Sequence, residues 1–329
     1  MKYLCVILLT VNYFFMATVV QASALERDDV KIFIDAMSKK HGFSTAELNA
    51  VFQNVVFSDT ILDAIARPAE TLPWYKYRPL FLERSRIRLG VEFWNKNRKS
   101  LQQAEAHFGV PAEILTAILG VETRYGKIKG KYAVINSLST LAFEYPKRSA
   151  FFLAELEQYL LLTREHGFDP LALKGSYAGA MGMPQFVSSS YRSYAIDFDN
   201  DGSIDIWEDP DDAIGSVGNY FKQHGWQTGK PIATPAKVKG NKYKELITND
   251  LMPEHTMHDL NMHDITTTAS LVPETMVKLL VLENKKSNEF WLGFDNFYVI
   301  SRYNNSALYS MAVFQLAQEI KSSYRRGHD

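Results

Sequence analysis

The sequence predicts a mainly α protein of the α+β kind, and three observations carry that prediction. Up to Gly225, long stretches place apolar residues at helical spacing. Helix starts and stops recur there, as Pro, Ser or Asp before a run and Gly after it. Short apolar, strand-like runs, Thr266–Val272, Met276–Leu282 and Glu289–Gly293, come late and lie close together.

Asp28 to about Pro68 reads as helical. Phe43-Ser44-Thr45-Ala46-Glu47-Leu48 offers a capping box, Ser44 with Glu47, and a staple, Phe43 with Leu48. Pro68, Pro73 and Pro79 mark a break, and a helix from about Arg84 to Phe108 follows. His107-Phe108-Gly109-Val110 turns into the next helix, Pro111 to Gly126. Pro111 suits the first helical position, where its missing N–H costs nothing. Gly126 takes the left-handed stop without penalty. At about 100° per residue, Pro111, Ile114, Leu115, Ile118, Leu119 and Val121 share one side of that helix. Glu113, Thr116, Thr123 and Arg124 share the other. Glu122 lands in the middle of the apolar side. A carboxylate there must be paired, protonated, or open onto a cleft. Desolvation raises a carboxyl pKa, which a general acid working near neutral pH requires. Glu122 is therefore the candidate catalytic group. The competing reading is a structural glutamate tied to a buried Arg or to backbone N–H groups.

Beyond Gly126, Lys127 to Tyr132 reads as a basic loop and Asn136 to Phe143 as a short apolar segment. Tyr145-Pro146-Lys147-Arg148 leads into a long helix, Ser149 to His166, closed by Gly167. Lys174 to Phe186 is too glycine-rich for a helix and too apolar for a solvated loop. Its glycines at 175, 179 and 182 suggest close backbone approach. Asp211 to His224 reads as helix, Thr228 to Lys244 as a turn-rich excursion, and Tyr309 to Ser323 as the last helix.

The 329 residues, 46% hydrophobic with net charge −1, have ordinary globular composition. The charge balance gives no footprint for nucleic acid. Met1 to Ala24 reads as a secretory signal peptide: Lys2, an apolar run from Leu4 to Val20, the small-x-small site Ala22-Ser23-Ala24, then polar Leu25-Glu26-Arg27-Asp28. Cys5 is the one cysteine and lies far upstream of that site, so neither a lipid anchor nor a disulfide framework is expected. The eight histidines, including His255, His258 and His263, show no zinc spacing and read as surface residues.

Asp197 to Glu208, DFDNDGSIDIWE, matches the twelve-residue calcium pattern D-x-[DN]-x-[DN]-G-x₅-E along its whole length. Asp197, Asp199 and Asp201 would give oxygens at loop positions 1, 3 and 5. Ser203 would give its carbonyl at position 7, Asp205 would act at position 9, and Gly202 permits the sharp turn. Glu208 fits position 12, with Asp209, Asp211 and Asp212 close enough to compete.

Several motifs occur in one order: Gly120-Val121-Glu122-Thr123-Arg124-Tyr125-Gly126, Tyr145-Pro146-Lys147-Arg148, Gly175 to Phe186, the Asp197 loop, Asn219-Tyr220-Phe221 and Arg302-Tyr303-Asn304. Together they resemble the membrane-bound lytic murein transglycosylase B family of bacterial cell-wall enzymes, over about Trp74 to Gln318. The resemblance implies a lysozyme-like helical core, an additional helical domain and a small β-containing insertion. On this sequence it implies a signal peptide over 1–24, a helical domain over 25–75 and a catalytic core with the calcium loop over 76–228. It implies a β-containing domain over 229–296 and a returning segment over 297–329. It also implies Glu122 as the acid/base, Lys147 and Arg148 lining the glycan groove, Ser176 and Gln185 near the carboxylate, and Tyr77, Tyr220, Tyr303 and Tyr309 at the cleft. It favours Asp212 over Glu208 as the last calcium ligand. The Ca²⁺ is expected to be structural, because the loop precedes a helix of the same domain and lies far in sequence from Glu122, and no organic cofactor is expected. Lys147 stands where the family has an arginine.

The resemblance further implies a periplasmic monomer whose partner is the glycan strand of peptidoglycan, with other cell-wall enzymes as a second partner class. Ordinary glycoside hydrolysis uses two carboxyl groups, and only Glu122 stands out in the sequence. A single carboxyl suffices if the muramic C6 hydroxyl is the nucleophile, which gives a 1,6-anhydro sugar. A lysozyme-type hydrolase and a non-catalytic wall-binding protein are the alternatives.

Overall fold

The computed structural model describes residues 23–67 and 72–327. Cys5 and most of the expected signal peptide, residues 1–22, lie outside the described residues, as does Pro68. The chain divides into two units, one ending at Val56 and one from Phe57 on.

In the first unit the stretch expected to be helical holds α1 (Asp28–His41) and α2 (Thr45–Phe52), separated where Gly42 turns left-handed at φ 66°, and α2 begins at the expected helix start. Ser44 does sit at the N-cap of α2, but its side chain makes no capping hydrogen bond, so the expected capping box is not formed.

The second unit opens with α3 (Asp59–Ile65) and α4 (Trp74–Phe81). The helix expected over Arg84–Phe108 is two, α5 (Arg84–Lys96) and α6 (Arg98–Phe108). Asn97 breaks it: its side-chain amide donates to Phe93 O at 2.9 Å and competes with the helical ladder. Next come α7 (Ala112–Thr123), the short strand β1 (Tyr132–Ala133), α8 (Val134–Glu144) and α9 (Ser149–His166). Strand β2 (Lys174–Gly175) pairs antiparallel with β1. Helices α10 (Ser188–Tyr194) and α11 (Pro210–Gln223) complete this part.

The three expected strands join two others in one antiparallel sheet, and one of the two, over 233–238, lies in the stretch expected to be a turn-rich excursion. Its members are β3 (Ala233–Val238), β4 (His255–Thr256), β5 (Ile265–Thr267), β6 (Met276–Glu283) and β7 (Asn288–Gly293), in the order β4-β6-β7-β3-β5. The strand expected over Thr266–Val272 shrinks to β5. A short helix, α12 (Met257–Met262), starts on a Thr256–Asp259 capping box. Strand β6 is buried on both faces. Val277 and Leu279 join Tyr243, Leu260, Ile265 and Leu292 in one buried cluster. Leu280 and Leu282, on the alternate face, pack with Trp74, Tyr77, Phe297 and Met311. Helices α13 (Asp295–Ser301) and α14 (Ala307–Arg326) close the unit, and α14 packs along α7, α5 and α4.

Candidate active site

Helix α7 is buried nearly all round. Thr116 and Thr123, expected on a polar side, are fully buried, because α5, α6, α11 and α14 all pack against this helix. The hydroxyl of Thr116 donates to Ala112 O at 2.8 Å, and that of Thr123 to Met183 O at 2.9 Å, which satisfies both. Pro111 caps α7 from outside, and the helix ends at Thr123, before the expected stop at Gly126.

Arg124, Tyr125 and Gly126 are then left-handed in succession, at φ 51°, 62° and 81°. The ring of Tyr125 folds back beneath α7. Its hydroxyl donates to Arg86 O at 2.9 Å, and burial pushes its pKa up. A Cβ at Gly120 would lie 2.6 Å from that ring, and one at Gly90 would lie 2.6 Å from its hydroxyl. Glycine at both positions is what lets the tyrosine in. Arg86, 7% exposed, donates to Gly120 O at 2.5 Å and to Leu80 O at 3.2 Å. A cation at a helix C-terminus is favourable. Burial, then Arg124, pulls its guanidinium pKa down. Arg86 thus braces the turn that presents Glu122. It is one arginine among several in Arg84-Ser85-Arg86-Ile87-Arg88, and nothing in the sequence marks it out.

Glu122 is half-buried, and the Tyr309 hydroxyl on α14 donates to its Oε1 at 2.5 Å. The Tyr309 phenol is held well above its ordinary pKa by burial first and then by the Glu122 charge; Tyr303 is held up in the same way. Tyr77, on α4, is buried with its ring stacked on Trp74 and its hydroxyl group close enough to weigh on Tyr309. Tyr303 donates to Pro184 O at 2.6 Å and packs its ring against Tyr220 at 4.8 Å. Tyr220 donates to Arg302 O at 2.5 Å. The four expected tyrosines therefore gather with Glu122.

The glycine-rich stretch is two tight turns closed by the bridges Gly175↔Met181 and Met181↔Phe186. Ser176 Oγ accepts from Ala178 N at 3.2 Å and Ala180 N at 3.1 Å, and so builds the first turn. Gln185, left-handed at φ 53°, donates to Gly182 O at 2.9 Å and Lys129 O at 3.2 Å in the second. Lys147 and Arg148 are exposed in a 3₁₀ turn, where the Arg148 guanidinium lies 4.3 Å over the Phe151 ring. Arg124, inside the glutamate motif, pairs with Glu83.

In the acidic loop, carboxylate oxygens of Asp197, Asp199 and Asp212 lie within 4.8 Å of one another, as do those of Asp199, Asp201 and Asp209. Asp212 is 1% exposed and accepts from Phe198 N and Asp205 N, each at 2.7 Å. Burial raises its pKa to about 6, against the pull of those two bonds. Convergent carboxylates, one of them buried, fit an oxygen-seeking divalent cation. Glu208 points elsewhere, to Lys129 Nζ at 2.5 Å. Asp205 Oδ1 is taken by Trp207 N at 2.8 Å and Glu208 N at 2.9 Å. The loop reaches the glutamate through one residue: Met183 N donates to Ile206 O at 2.8 Å, while Met183 O accepts from Thr123 on α7 at 2.9 Å.

Residues 26–318 match the family model described as Transglycosylase SLT domain. The chain is 40% identical over 298 residues to membrane-bound lytic murein transglycosylase B of Escherichia coli (strain K12), covering 88% of this chain and 81% of that protein. The crystal structure of soluble lytic transglycosylase SltB1 from Pseudomonas aeruginosa matches with TM-score 0.85 and 48% identity, covering 91% of this chain and 99% of that one. The Escherichia coli lytic transglycosylase Slt35 in complex with calcium matches with TM-score 0.83 and 39% identity, covering 90% of this chain and 94% of that one.

Proposed function

From the premise that this chain belongs to the transglycosylase SLT domain family and is a lytic transglycosylase of peptidoglycan, we propose that Glu122 is its single acid/base. The observation that carries this reading is the Glu122 carboxylate on a buried helix, hydrogen-bonded by Tyr309, with Tyr303 near it and Tyr77 behind Tyr309. Protonated Glu122 gives its proton to the oxygen linking N-acetylmuramic acid to N-acetylglucosamine, and the C1–O bond breaks. The carboxylate then takes the proton of the muramic C6 hydroxyl, whose oxygen closes onto C1. The 1,6-anhydro product forms, no water is consumed, and Glu122 ends protonated as it began. Mass analysis of muropeptides released by the purified protein tests this. Anhydro ends are expected, and ends heavier by one water would instead identify a lysozyme-type hydrolase.

Tyr309 holds the carboxylate in place for both proton transfers. Hydrogen bonds to charged groups contribute about 1.5–3 kcal/mol, so Tyr309→Phe is expected to lower kcat roughly 10- to 100-fold. Circular dichroism of the variant should be unchanged. Full activity in Tyr309→Phe would remove Tyr309 from the mechanism.

Ser176 and Gln185 shape the loop beside the tyrosine cluster, and the backbone they order forms one wall of the groove. Lys147 and Arg148 line its far side and meet the lactyl and peptide carboxyl groups of the wall; the planar Arg fork suits them better than Lys. Arg148→Ala is expected to raise KM for intact wall by up to about fivefold, as for an exposed ion pair. Glycan stripped of its peptides should be affected less, and added salt should shrink the difference. Equal losses on both substrates at all salt concentrations would make Arg148 structural.

Asp197, Asp199, Asp201, Asp212 and the Ser203 carbonyl would hold one calcium ion in the acidic loop, where it would supply fixed positive charge that neutralises the converging carboxylates. Asp212 closes the site, since Glu208 is engaged by Lys129. The loop belongs to the core, 76–228, with 229–296 as a β-containing insertion and 297–329 returning to the core. The protein acts as a monomer on the periplasmic side, a location that the glycan substrate and the leader-like residues up to Ala24 support.

A further inference from the structure

A polar cavity of about 390 Å³ lies between α4, the β6–β7 hairpin and α14. Its floor is Gln315, 8% exposed, whose Oε1 accepts from Arg78 Nε at 2.7 Å. That bond fixes the guanidinium plane and leaves both terminal nitrogens of Arg78 available toward the cavity. Glu289 does not answer them. Its Oε1 accepts from Trp291 Nε1 at 2.6 Å and its Oε2 from Asn284 Nδ2 at 3.1 Å. Lys285, in the hairpin turn, stands 5.9 Å over the Tyr75 ring of α4 and adds a second cation at this edge. Past Glu319, which the two share, a second cavity of about 470 Å³ continues, flanked by Arg84, Arg88 and Arg326. From Gln315 to Arg326 the helix rises about 16 Å. At about 100° per residue, Gln315, Glu319 and Arg326 centre roughly 100° around α14 from Tyr309, so a ligand here does not lie on Glu122.

We propose that this groove is a second, non-catalytic site that holds a carboxylate-bearing stretch of peptidoglycan strand, a proposal that rests on the lytic-transglycosylase reading. Its amide, guanidinium and carboxylate walls suit a hydrophilic ligand. The fixed Arg78 fork suits a peptide carboxylate, and the far end, where Arg84, Arg88 and Arg326 face Glu319 and the Arg88-paired Glu92, keeps an excess of one positive charge for a chain that continues beyond one residue. The enzyme would grip one part of the wall while cutting another.

The test compares insoluble sacculi with a soluble GlcNAc-MurNAc tetrasaccharide, using the full chain. The Arg78→Ala/Lys285→Glu double variant is expected to raise KM on sacculi roughly five- to tenfold, the loss of one or two exposed charge contacts. Its kcat/KM on the tetrasaccharide should stay at the wild-type level. Gln318→Ala, which changes no charge and no bond of the fold, should shift sacculus KM in the same direction by a smaller factor. In a Glu122→Gln background, the double variant should also be retained less by sacculi in a pull-down. Equal losses on both substrates, or unchanged behaviour on sacculi, would overturn the proposal. Wild-type protein that cleaves neither substrate would instead overturn the transglycosylase reading.

Discussion

Purified Glu122→Gln is expected to release no detectable anhydro-muropeptides while folding normally and still binding sacculi. Glutamine keeps the side chain's shape and can still accept from Tyr309, whose hydroxyl donates to Glu122 Oε1. It cannot give or take the proton. Acid/base groups contribute typically ~10²–10⁴-fold, and in the proposed mechanism one group serves both steps, so the loss should lie at or beyond the upper end. The measurement is muropeptide mass spectrometry beside a melting curve. Turnover near wild type at an unchanged melting temperature would show that Glu122 is structural and that the α7 turn serves another purpose.

Calcium added to chelator-treated protein is expected to raise the melting temperature by about 8 °C. A ligand that binds only the folded state at about 1,000 times its dissociation constant stabilises by about 4 kcal/mol, and a unit of this size gains roughly 2 °C per kcal/mol. Two variants separate the metal from the loop's own bonds. Asp199→Ala removes an exposed carboxylate and should abolish the response while leaving the metal-free melting temperature almost unchanged, because Asp201 N, which donates to Asp199, keeps its second acceptor on Asp197. Asp212→Ala should abolish the response and also lower the metal-free value, because Phe198 N and Asp205 N lose their acceptor. Each unsatisfied buried group costs about 1–3 kcal/mol. A calcium response that survives in both variants would move the metal out of this loop.

What was legible in the sequence was the local chemistry. Glu122 stood out because a charge interrupted a helical apolar stripe, and the aspartate loop because its ligands recur at fixed short spacing. Both rest on neighbours within a dozen residues. The break at Asn97 was not legible, since it depends on whether one side chain turns back to Phe93 O or out to solvent. The polar side assigned to Thr116 and Thr123 failed for a related reason. Threonine satisfies its own hydroxyl against the helix or a passing carbonyl, and so can be buried on any face. Arg86 was invisible because its partners, Leu80, Gly120 and Val121, lie on other elements. The tyrosines around Glu122 were named only through the family resemblance, for no periodicity links Tyr309 to a residue on α7.

The Tyr309–Glu122 bond spans 187 residues of chain. Synthesis and folding run in time, and they run from the amino-terminal side. Helix α7, the acidic loop and the whole five-stranded sheet must therefore all exist before α14 arrives to complete the carboxylate's surroundings. A chain interrupted anywhere before Ala307, by a stalled ribosome or by a protease, would carry its glutamate without the group that orients it. Under the proposed roles of Glu122 and Tyr309, an unfinished chain would turn over no faster than the Tyr309→Phe variant.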